Sequence, residues 1–173
     1  MIKISKNNII EKLGRHLPII FLFMAVLNDI DFNNLGFKYF SFNFAYILIF
    51  YYSLKKRDIL GYGLIFIAGL FNDVVAGIPM GLSSLVYLLL CGATAYLRNI
   101  TLRPSLFKDW IFFLTVVLII NSISFLILTF IFTYEINYLD QIINIIFTFL
   151  FYPIFAYFFY LIETTFVGRR YAG

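Results

Sequence analysis

The sequence has 173 residues, 62% of them hydrophobic and 13% charged, whereas soluble domains carry about a quarter charged residues. That balance belongs to a chain solvated by lipid and excludes a separate water-soluble domain, since six spans of roughly 20 residues take up most of the length. The net charge of +4 does not point to nucleic acid, because the lysines and arginines sit in short clusters between apolar runs, as topology signals do.

Along the chain, Lys3, Lys6, Lys12 and Arg15 precede an apolar stretch that runs into Asn28, Asp29 and Asp31. No pair of small residues offers a cleavage site there, so the stretch reads as an uncleaved first span, about 17–30, short, and either extending back toward Ile9 or sitting in a locally thinned bilayer. His16, the only histidine, follows Arg15 and reads as a cytoplasmic-side interfacial residue, not as part of a catalytic triad. The second span, about 40–54, ends in Lys55, Lys56 and Arg57. The third, about 60–76, is followed at once by the fourth, about 79–97, which contains the only cysteine, Cys91. A lone cysteine excludes an intramolecular disulfide and a thiolate metal cage. A polar connection with Arg98, Arg103, Pro104 and Lys108 leads to the fifth span, about 110–132, and then the sixth, about 142–166. The whole chain, 1–173, reads as a single integral membrane domain with no cofactor.

Placing the loops alternately on two sides puts every Lys and Arg except Lys38 on one side. Asp29, Asp31, Glu135 and Asp140 collect on the other. By the positive-inside rule this predicts an all-α protein of six spans with both termini cytoplasmic. Adding or dropping one span would spoil the separation. Apolar runs of this length, without ten-residue alternation, exclude a β-barrel. Tyr51, Tyr52, Tyr96, Tyr134 and Tyr138, near predicted span ends, are expected to anchor at the membrane interface.

The stretch from Gly69 to Leu82, GLFNDVVAGIPMGL, carries the most information. Asp73 is an ionisable residue inside an apolar span, where a central carboxylate costs about 2.5–3.5 kcal/mol. Gly69, Asp73 and Gly77 are four residues apart and share one helix face, which lets another helix approach and bring a donor. Gly77 permits a tight turn, and Pro79 suits the first turn of the next helix. The result expected is a hairpin of helices three and four lining a small external cavity. Two readings of Asp73 stand: a structural carboxylate, or a contact for a partner's transmembrane helix or a small ligand. Asn121, Ser122, Ser124 and Asn144 are expected to bond between helices. Glu163 is expected to pair with Arg169 or Arg170, and Pro153 interrupts the sixth span.

The run from Tyr51-Tyr52-Ser53-Leu54-Lys55-Lys56-Arg57 through Gly69-Leu70, Asp73, Gly77, Pro79, Gly81 and Leu82 resembles the rod-shape-determining protein MreD family. An aromatic pair and basic turn end one span, and G-L-x-x-D with a small residue, a proline and a glycine follows. The resemblance implies a fold similar to the substrate-binding subunits of energy-coupling-factor vitamin transporters. It also implies a multi-pass protein of the bacterial cytoplasmic (inner) membrane and a scaffolding, non-enzymatic role in cell elongation and peptidoglycan synthesis. The implied partners are MreC, the actin-like MreB, the glycosyltransferase RodA and a class B penicillin-binding protein. Gly69, Asp73, Gly77, Pro79 and Gly81 are then the candidate partner or ligand contacts. The competing reading of the same architecture is a vitamin-binding transport subunit.

Overall fold

The computed structural model describes residues 6–27, 41–55, 59–101, 105–134 and 137–167, with backbone alone for 6–15 and 165–167. They form α1 (Lys6–Leu27), α2 (Phe44–Lys55), α3 (Tyr62–Ala76), α4 (Leu82–Ile100), α5 (Leu106–Phe130) and α6 (Tyr138–Val167). The described residues contain no strand. By length and composition, α5 and residues Tyr138–Thr164 of α6 can cross a membrane. The apolar stretches His16–Leu27, Phe44–Lys55 and Tyr62–Ala76 are shorter.

Five helices make a closed ring around the sixth. α1 packs on α3, α3 on α4, α4 on α5, α5 on α6, and α6 returns to α1. α2 stands inside and touches α1, α4 and α6; its Phe50 ring also meets Phe113 of α5 at 4.9 Å between centroids. Every residue from Ala45 to Tyr52 is buried, which a helix achieves only when protein surrounds it on all sides. Aromatic rings fill the contact with α6: Phe44 meets Phe155 at 4.9 Å, Phe50 meets Tyr152 at 5.6 Å and Tyr51 meets Phe159 at 5.4 Å. Edge-on and tilted ring pairs of this kind add to the dispersion that holds packed helices together.

Consecutive helices alternate in direction. Lys55 at the end of α2 pairs with Asp109 at the start of α5, and Arg98 near the end of α4 donates to the Ser53 carbonyl of α2. At the other end, the Tyr134 hydroxyl donates to the Gly77 carbonyl, and Asn144 of α6 donates to Ser41 ahead of α2. The outward surface is apolar. Leu118, Ile119, Leu126 and Phe130 of α5 and Ile146, Leu150, Ile154 and Phe158 of α6 are all exposed, while Asp73, Ser83, Ser84, Thr94, Asp109 and Thr148 are buried. A soluble domain rarely exposes so continuous an apolar surface.

Several expectations change. α1 starts ten residues before His16, so that residue lies within the helix, exposed. α4 is displaced three residues along the chain from the expected span, and α5 and α6 each begin four residues early. Tyr51 and Tyr52 are 3% and 2% exposed and are not interfacial anchors, because α2 is the central helix and its faces never reach the outer surface of the bundle. Tyr96, Tyr134 and Tyr138 are exposed as expected. The Asn121, Ser122 and Ser124 side chains donate to Val117, Leu118 and Ile120 carbonyls of their own helix rather than across to another. Short polar side chains reach back one turn easily, and no interhelical partner is needed. Asn144 does bond outside its helix, to Ser41. Lys3, Asp29, Asp31, Lys38, Lys56, Arg57, Arg103, Glu135, Arg169 and Arg170 lie outside the described residues, and with them the expected pairing of Glu163.

Pro153 has a specific partner for the group that it strands. Proline has no N–H, so the carbonyl four residues earlier, Phe149, loses its helical donor. The Trp110 indole Nε1 of α5 donates to that carbonyl at 2.8 Å, with its ring stacked on Phe149 at 4.6 Å. Trp110→Phe is expected to cost about 1–2 kcal/mol in a detergent unfolding titration. Pro153→Ala restores the missing N–H, so the same tryptophan substitution should cost markedly less in that background. Equal costs in the two backgrounds would show that the indole bond contributes nothing.

Candidate functional site

The candidate residues lie where α3 turns into α4. α3 ends at Ala76, and Gly77 takes φ 65°, a left-handed conformation that a Cβ disfavours. The amides of Gly77 and Ile78 both turn back onto the Asp73 carbonyl, Ile78 at 3.1 Å. Gly81, at φ 98°, provides the second left-handed position, directly before α4. Between them the Leu82 amide donates to the Pro79 carbonyl at 3.3 Å. Five residues, 77–81, therefore reverse the chain.

Two expectations are corrected here. Pro79 is not in the first turn of the next helix; it lies in the turn, three residues before α4 begins. The chain needs those residues to pass from the αL end of α3 to the αL start of α4. Gly77 does not share the face of Gly69 and Asp73, because the helix has already ended. Gly69 and Asp73 do share it, and both are buried against α4.

Asp73 is fully buried, and both carboxylate oxygens are engaged. Oδ2 accepts from the Gly81 amide at 2.6 Å and Oδ1 from the Ser83 amide at 2.8 Å. The first amides of a helix have no partner within it, and the partial positive charge there favours an anion. Asp73 supplies the N-cap of α4 from the preceding helix. One residue away, the Asn72 Nδ2 donates to Ser83 Oγ at 2.9 Å. A turn below, a Cβ on Gly69 would lie 2.7 Å from Ser84 Oγ and closer still to the Ser84 backbone. Ser84 is itself fully buried and donates to the Phe66 carbonyl at 2.8 Å. Gly69 thus lets two backbones touch, and the approach brings the amides of α4 within reach of the carboxylate. Tyr134, from the turn after α5, closes the group through its bond to the Gly77 carbonyl at 3.0 Å.

A cavity of about 20 Å³ lies at the opposite end of α3 and α4, lined by Ser53, Leu60, Gly61, Tyr62, Ile65, Cys91, Thr94, Ala95 and Arg98. Cys91 is buried as a free thiol, 3.4 Å from Ser53 Oγ. Sequence reasoning passed over a second buried acid at this end. Asp109 falls just before the expected fifth span, but it lies in the first turn of α5, 2% exposed and 3.2 Å from Lys55 Nζ. Its neighbours Lys108 and Trp110 hid it in a mixed stretch; the signal was an acid beside the start of an apolar run, where a helix N-terminus favours one.

Comparison with protein-family models, with characterised proteins and with solved structures returns no match.

Proposed function

We propose that this chain is a six-span protein of the bacterial cytoplasmic membrane, with both ends inside, and a non-enzymatic scaffold of the cell-elongation machinery of the MreD kind. Its fold would then be similar to that of vitamin-transporter substrate-binding subunits. The observation that carries the reading is the α3–α4 hairpin, in which the motif residues Gly69, Asp73, Gly77 and Gly81 each perform a distinct structural task. An apolar outward surface and helices that alternate in direction agree with six spans. The buried acids serve the fold, Asp73 on two amides and Asp109 on a lysine. On this reading the hairpin is a rigid end that shapes the surface for the transmembrane helix of MreC, and MreB, RodA and a class B penicillin-binding protein join through that complex.

The test is co-purification of tagged protein from its native membranes in mild detergent, with mass spectrometry of protein and small-molecule partners. Recovery of MreC and the elongation synthase supports the scaffold. An ATPase module or a stoichiometric vitamin overturns it in favour of transport. The cavity described holds about one water, whereas ligand pockets run to about 300 Å³ or more, so this cavity takes a vitamin only if its lining helices part.

A further inference from the structure

We infer that the end of the bundle opposite the Asp73 hairpin holds the phosphate of an anionic phospholipid, with Arg98 as the principal contact. The inference rests on the membrane reading above. Arg98 is half-buried at the cavity between the end of α2, the start of α3 and the end of α4. Its guanidinium has five donors in a planar fork, and its described bonding is one contact, Nη1 to the Ser53 carbonyl at 3.4 Å. One described cation at this end, Lys55, is already paired with Asp109. Arg98 therefore keeps its charge and most of its donors with no described carboxylate against it.

The surroundings suit a headgroup. The rim residues Gly61 and Tyr62 are exposed, and among the described residues nothing lies within 4 Å of where a Cβ on Gly61 or Gly63 would sit. The lining hydroxyls are already engaged, Thr94 with the Cys91 carbonyl and Ser53 with the Cys91 thiol, so Arg98 supplies the polar contact. The enclosed part admits only about one water, so a phosphate must seat at the rim, with its acyl chains free to run along the exposed Tyr62, Phe66 and Leu64 of α3. This is the end where Lys55, Arg98 and Lys108 gather. In the proposed orientation it faces the inner leaflet, where basic pockets between helices take anionic headgroups. Arginine suits the task because its fork matches two phosphate oxygens at once.

The test uses full-length protein in nanodiscs of phosphatidylethanolamine with and without phosphatidylglycerol. Lipids retained after transfer to detergent are counted by native mass spectrometry. The expected result is one phosphatidylglycerol per chain, retained about fivefold over phosphatidylethanolamine. Arg98→Gln should abolish the preference, and Lys108→Gln, at an exposed position of the same end, should leave most of it. Arg98→Lys separates charge from fold: partial return of the preference supports the headgroup contact. Excess inorganic phosphate should not displace the lipid. Equal retention of both lipids, a preference unchanged in Arg98→Gln, or displacement by inorganic phosphate overturns the inference. Those failures leave the scaffold reading intact, whereas protein recovered from the soluble fraction sinks both.

Discussion

Replacing Asp73 by leucine is expected to destabilise the protein by about 2–5 kcal/mol, because two buried amides, of Gly81 and Ser83, lose their acceptor together. That is a large share of the roughly 5–15 kcal/mol that holds an ordinary domain folded. Asp73→Asn should fall between, since a carboxamide oxygen satisfies one amide while its NH2 faces the other. Unfolding in mixed micelles with rising SDS, followed by circular dichroism, measures both. If the leucine variant unfolds at the wild-type SDS fraction, the cap contributes nothing to stability. The carboxylate would then have to be explained by a partner or a ligand. The same variant tests the proposed scaffold role: if the wild type recovers MreC, a leucine protein that still folds and recovers it shows that the buried carboxylate is not needed for that contact.

Gly69→Val is expected to be at least as damaging, about 3 kcal/mol or more, for a different reason. The added carbons collide with the Ser84 backbone, which no rotamer change can move, and Ser84 Oγ is tied to the Phe66 carbonyl. α3 and α4 would have to separate, and separation also pulls the amides of α4 away from Asp73. Ser84→Gly should therefore not rescue the variant. Gly92 is the control: it lies within α4 with open space at its Cβ position. Gly92→Ala should be neutral or stabilising by up to about 1 kcal/mol. The same unfolding titration, run on all four proteins, separates a close helix contact from a general intolerance of substitution at glycine.

The helical class and the site of the hairpin were legible in the sequence because they rest on local signals: long apolar runs, and a carboxylate with glycines at fixed offsets. The readings that failed needed knowledge of what packs where. Tyr51 and Tyr52 read as interfacial residues because they end an apolar run beside Lys55, and only the ring of five helices shows that their helix never reaches the outer surface. Pro79 matched a helix-start rule, but the αL residues on both sides of it lengthened the turn. Asn121, Ser122 and Ser124 offered the same hydrogen-bonding groups as Asn144, and their own helix satisfied them first. Asp109 is the clearest omission. Its burial depends on Lys55, 54 positions away, and no local pattern carries that distance. Trp110 and Pro153 are likewise joined only in three dimensions, through a carbonyl that belongs to neither.

The enclosure of α2 carries a consequence for how the protein is made. The central helix is synthesised before four of the helices around it, and its aromatic neighbours Tyr152, Phe155 and Phe159 lie on α6, four helices later in the chain. Thr148, which accepts from the Asn43 amide just before α2, arrives just as late. Until then one flank of a 12-residue helix stands uncovered, with tyrosines and an unsatisfied amide meant for protein. A chain halted before α6 is therefore not a smaller stable protein but an open shell around an exposed strut. α6 both closes the ring and determines whether α2 stays where it was put.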